Sequence, residues 1–181
     1  MQQLIRFRRE IFVFFFGIAL FTTGWMSALT RDIQHKGVTG FSIMQLELPG
    51  DEAHLYATVQ QLTTHEAIPE VIRHLRVDYF FMLGIYPLIA VWLLILRINT
   101  RPLLSGILLI VALLQVLPWV FDVMENNRLL QVVQGGPLGM SMTLWETMVY
   151  AKFVIAVSAG VLALLVVVFK LLAAPLVNKN T

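Results

Sequence analysis

Six polar residues are spaced so that they meet if the chain crosses a membrane four times: Asp78, Asp122, Glu125, Asn126, Glu146 and Lys152. Asp78 opens one long apolar stretch, Asp122 closes the next and Glu146 opens the last, so alternating crossings bring these three acids to one membrane face. Glu125 and Asn126 follow Asp122 by three and four residues, neighbouring positions on one face if the helix continues. Ionisable groups at that depth are costly against lipid, so an inward or water-facing arrangement is expected. A cation, a polar small molecule or a lipid headgroup is the ligand class such a site suits. Lys152 lies six residues past Glu146 and either snorkels to water or neutralises Asp122 or Glu146 in the bundle interior. The plainer reading makes Asp78 and Asp122 hydrated helix-end charges, or partners of Arg73, Arg76, Arg128 or Lys152. A helix N-terminus favours an acid, which suits Asp78, whereas Asp122 near a C-terminus gains nothing from the dipole.

The four histidines, His35, His54, His65 and His74, fall on the same side as these acids. His74 and Asp78 are four apart and can share a helix face; His54 and His65 are about three turns apart. His54, His65, His74 and Asp78 form a chemically competent zinc set, and zinc or another divalent cation is the only metal class the sequence suggests. Their spacing matches no established metal motif, and surface or hydrogen-bonded histidines are the default. No other cofactor is expected. There is no CxxCH, and no histidines lie opposed within the apolar stretches to ligate haem. A hydrolase could use these acids as a base, but Ser141 and Ser158 lack a defining motif, and neither a GxSxG elbow nor a glycine-rich phosphate cradle is present.

The elements that must position these residues are read from composition. Of 181 residues, 58% are hydrophobic and 13% charged, against about 25% charged in an ordinary soluble domain, and the mean hydropathy is +0.78. That excludes a disordered or nucleic-acid-coating protein. Four apolar stretches are near the roughly 17–25 residues that cross a bilayer as a helix. The expected fold is all-α: a single integral membrane domain over 1–181, a four-helix transmembrane bundle with spans near 11–30, 77–97, 102–122 and 147–171, plus an amphipathic helix in an outer-side segment, 31–75. The first stretch follows basic residues as a secretory signal would. At about 20 residues it exceeds the roughly 7–15 of a signal core, and three more spans follow, so it reads as a retained helix. With no cysteine, the outer segment must be ordered by packing or by the membrane.

Charge sorts by side. With the N-terminus inside, the inner segments carry Arg6, Arg8, Arg9, Arg97, Arg101, Lys170 and Lys179 against Glu10 alone, while the outer side has six cations against ten acids. Lysine and arginine near span ends are held on the cytoplasmic side, so both termini are expected there. In the outer segment, a glycine-containing loop, Lys36-Gly37-Val38-Thr39-Gly40, leads into FSIMQLELPG, a short strand or a helical turn or two. Asp51 is placed to cap a helix in which Leu55, Val59 and Leu62 recur at helical spacing. That helix would lie on the surface, either completing the packing or gating a site. Pro69 suits the first turn of the next helix. Pro87 should bend that helix and Gly84 permits close packing. The link at 99–102 makes spans two and three antiparallel neighbours, and Pro118 can kink the third just before Asp122. No internal repeat is evident.

With Asp78 at the head of span two, followed by Tyr86, and Asp122-Val123-Met124-Glu125-Asn126 at the end of span three, the chain resembles uncharacterised bacterial four-span inner-membrane proteins. The resemblance covers the layout of the whole chain. It implies a multi-pass inner-membrane location and carries no activity. Three functional classes follow from the residues: an outward-facing acidic site, a structural or assembly protein whose charges recruit a membrane partner, and an enzyme acting on a lipid or isoprenoid. The partners expected are the lipid bilayer and either a membrane protein or a second copy of the chain; nucleic acid is not among them.

Overall fold

The computed structural model describes residues 7–177; Arg6 and Lys179, counted above on the inner side, lie outside the described residues. Seven helices are found among the described residues: α1 Arg8–His35, α2 Met44–Glu47, α3 Glu52–Thr64, α4 Ile68–Leu96, α5 Pro102–Leu114, α6 Val116–Val133 and α7 Met142–Val177. Four spans are long and apolar enough to cross a membrane: α1, α4, α5 joined to α6, and α7. The chain is therefore a multi-pass membrane protein, all-helical in these residues.

α4 is the hub, packing against α1 on one side and against α5, α6 and α7 on the other. Its contact with α1 depends on Gly84, where a β-carbon would come within 2.7 Å of the Ala19 backbone nitrogen. At 29 residues, α4 is roughly 43 Å long and exceeds a bilayer's apolar thickness. Pro69 lies in its first turn and Pro87 in its interior. The third span is interrupted at Gln115, between α5 and α6. Pro118 follows in the first turn of α6; it has no N–H to close the ladder onto the Leu114 carbonyl, so the discontinuity falls one turn ahead of it. α6 then continues past Asp122 to Val133, which keeps Asp122, Glu125 and Asn126 on one buried face.

Two apolar cores form. The larger gathers Ile33, Leu46, Leu55, Leu62, Leu75, Leu129, Trp145 and Val149 at one end of the bundle, where the segment between α1 and α4 folds over as a cap. There water drives burial of the apolar face of the cap. The smaller core joins Leu93, Leu108, Ala112, Ala159 and Ala163. Small residues let helices approach where lipid removes the hydrophobic drive. Exposed Phe14, Phe16, Leu20 and Phe21 on α1 and Val157, Leu164, Leu165 and Phe169 on α7 present an apolar face suited to lipid.

The cap is built from local rules. Asp51 is extended and its Oδ1 accepts from the His54 N–H at 2.8 Å, capping α3 as its position predicts. α3 buries Leu55 and Leu62 and leaves its opposite face exposed. The FSIMQLELPG segment resolves as the single turn α2, stabilised by burying Leu46 completely. Lys36 donates to the Glu70 carboxylate at 2.8 Å and to the Glu66 carbonyl at 2.7 Å, tying the loop after α1 to the start of α4. At the opposite end, Lys170 donates to the carbonyls of Leu96 (2.7 Å) and Ile98 (2.9 Å), at and just beyond the C-terminus of α4, where a cation is favoured.

Candidate functional site

Beneath the cap, one ammonium meets three carboxylates. Lys152 Nζ on α7 lies 2.7 Å from Asp122 Oδ1 and 2.6 Å from Glu125 Oε2, both on α6, and 3.2 Å from Glu47 Oε2 on α2. All four residues are buried, with between 1% and 7% of each exposed. α6 supplies its two acids from consecutive positions along one face, and α7 brings Lys152 up beside them because α6 and α7 pack against each other. Glu47 arrives from the cap: the α2 turn that drives Leu46 into the core also turns its neighbour inward.

Other side chains complete the site. Tyr86 of α4 donates its hydroxyl to Asp122 Oδ2 at 2.6 Å, so Asp122 is held from two sides. Trp145 of α7 donates its indole N–H to the Glu47 carbonyl at 2.7 Å, fixing α2 over the cluster. Asn126, 1% exposed, donates to Asp78 Oδ2 at 2.7 Å and to the Leu75 carbonyl at 3.3 Å. Glu125 is the least satisfied member: its contact with Lys152 is an ion pair without hydrogen-bond geometry, and neither of its oxygens has a hydrogen-bond partner.

The electrostatics follow from the count. Fully ionised, one lysine with Glu47, Asp122 and Glu125 carries a formal charge of −2 in a site shielded from water. A buried ion cluster is tolerable only where charges are matched and hydrogen-bonded. At Glu47 burial raises the carboxyl pKa above its ordinary value of 4.5, against the lowering pull of the Lys152 charge.

The six residues expected to converge do so in part. Asp122, Glu125 and Lys152 form the cluster, while Asn126, next to Glu125 on α6, bonds the half-buried Asp78. Glu146 does not pair with Lys152. It accepts instead from the Gly50 backbone N–H at 3.0 Å, because it projects toward the turn before α3, where Gly50 has a positive φ of 82°. The histidine and Asp78 set does not assemble into a metal site. His54 Nδ1 lies 2.7 Å from Asp51 Oδ2, the acid that caps its own helix. His65 lies against the Lys36 carbonyl, and His74 is buried with Nδ1 unpartnered. Among the described residues no group of three or more His, Asp or Glu is arranged to hold a metal ion.

Glu47 and Trp145 were not singled out by the sequence. The trace Glu47 leaves there is a lone acid between Leu46 and Leu48 in an otherwise uncharged segment. Comparison with protein families, with curated proteins and with solved structures finds no match for this chain, so function is argued from the site alone.

Proposed function

We propose that the protein is an inner-membrane protein, with both termini in the cytoplasm and the capped end outward, whose acidic site binds a cation, and that this cation is a proton. The observation that carries this reading is the surplus of carboxylates: Glu47, Asp122 and Glu125 surround a single lysine, and Glu125 has no hydrogen-bond partner. Burial favours the smallest ligand over a polar small molecule or a headgroup, which need open space beside the acids. The Lys152 ammonium already fills the space between the three carboxylates, which favours the proton over a metal ion.

The test is proton uptake by the full chain in nanodiscs. Infrared spectra across a pH series report protonated carboxyls in wild type and in Glu125→Gln and Glu47→Gln variants. A protonated-carboxyl band persisting well above the ordinary carboxylate range, and reduced in each variant, supports the reading. Carboxyls that all ionise in that ordinary range in the folded protein would sink it. Thermal stabilisation by Na⁺ or K⁺ at constant pH and ionic strength, lost in Glu125→Gln, would assign the site to a metal cation instead.

A second reading rests on a different feature. Lys152 joins a cap residue to both α6 and α7, and the cluster is closed, which suits a clamp holding the cap in place for docking a membrane partner or a second copy. Unchanged infrared spectra together with loss of a co-purifying partner in Glu47→Gln would favour it.

A further inference from the structure

A second site opens halfway along α4, away from the cap. Pro87 lies inside α4 and the Gln115 break interrupts the third span, and between them lies a groove of about 260 Å³. Its walls include Met82, Leu83, Tyr86, Pro87, Gln115 and Trp119, and are almost entirely apolar. It lies in the middle of the spans, where the surrounding solvent is hydrocarbon.

Trp119 in its wall carries an indole donor, but two acceptors there lack partners. Gln115 is 3% exposed; its amide nitrogen donates to the Val111 carbonyl at 3.2 Å, and its Oε1 has no partner. Pro87 has no N–H to offer the Leu83 carbonyl four residues earlier, so that acceptor loses its helical partner too. The Tyr86 hydroxyl already donates to Asp122. An unpaired acceptor buried in a low-dielectric setting is costly, and the missing element is a donor.

We propose that this groove binds a lipid-soluble hydroxyl compound, its chain or ring against the apolar walls and its O–H donating to Gln115 Oε1. The wall residue Tyr86 also bonds Asp122, so an occupant would touch the side chain that supports the ionic cluster. The inference rests on the groove and the unpaired amide oxygen, and holds whether or not the cluster binds a proton.

The experiment uses the full chain in nanodiscs with a photoreactive diazirine alkanol as the probe, crosslinked sites being mapped by mass spectrometry. Labelling of Met82, Leu83 or Trp119 is expected, with competition by decanol about three- to tenfold stronger than by decane at equal membrane concentration, the range of one net hydrogen bond. Gln115→Leu should retain labelling of the groove and abolish the preference for decanol. Ala112→Phe, which fills the groove from α5, should abolish labelling while the protein stays monodisperse. Equal competition by decanol and decane in wild type, or labelling at these residues that persists in Ala112→Phe, overturns the proposal. Should Gln115→Leu fail to fold, the decanol and decane comparison in wild type decides.

Discussion

Replacing Lys152 with methionine removes the only cation from a cluster of three carboxylates while keeping a side chain of similar length. Glu47, Asp122 and Glu125, which lie 2.6–3.2 Å from its ammonium, are then left buried without a counter-charge. Breaking a buried ion pair by removing one partner costs about 3–5 kcal/mol. Lys152 serves three acids at once, so the upper part of that range is expected near neutral pH. For a chain of this size a loss of about 4–5 kcal/mol lowers the thermal midpoint by roughly 8–20 °C. The assay is thermal unfolding in detergent followed by near-ultraviolet circular dichroism, repeated as the pH is lowered. The deficit should shrink on acidification, because protonated carboxyls no longer need the ammonium. Adding Asp122→Asn and Glu125→Gln to Lys152→Met should recover most of the loss, since uncharged groups of similar shape remain. Equal midpoints for Lys152→Met and wild type at neutral pH would refute the argument that these charges depend on one another.

Glu47→Gln tests the pH linkage directly. The folded Glu47 carboxyl holds its proton more tightly than its unfolded counterpart, so its contribution to stability is greatest at low pH. That contribution declines as the pH rises from 4.5 through the raised folded value. The variant should show a flatter dependence in this window, read from denaturant unfolding at stepped pH; an unchanged slope counts against it. Tyr86→Phe leaves Asp122 Oδ2 without its donor and should cost about 1–3 kcal/mol by the same unfolding assay. Gly84→Ala places a methyl within 2.7 Å of the α1 backbone, which cannot yield as a flexible side chain would. A loss of about 1–3 kcal/mol is expected, with weakened α1–α4 crosslinking between introduced cysteines. Trp145→Phe removes the bond to the Glu47 carbonyl and should raise amide hydrogen exchange in α2 selectively, with little change in α4.

Much of this architecture is legible from one sequence because its causes are local. A stretch of apolar residues long enough to span hydrocarbon must close its own backbone hydrogen bonds, so four such stretches predict four membrane helices before any contact is known. Asp51 caps α3, and Pro69 enters the first turn of α4, because each answers a need of its own helix end. Asp122, Glu125 and Asn126 share a face by helical spacing alone once α6 continues past the apolar stretch.

Only the tertiary structure decided which charges meet. Glu47 lies 105 residues before Lys152, on a single helical turn whose sequence permits a strand as readily, and its inward direction depends on burying Leu46 beside it. Glu146, also a glutamate and much nearer Lys152 in sequence, bonds a cap amide instead. The histidines, which spacing alone allows to meet at a metal, are engaged separately, His54 by Asp51 and His65 by the Lys36 carbonyl. Periodicity sets how a helix presents its side chains, but the pairing of distant groups depends on the path of loops and on competition for one buried space. Neither quantity is written in the spacing of residues.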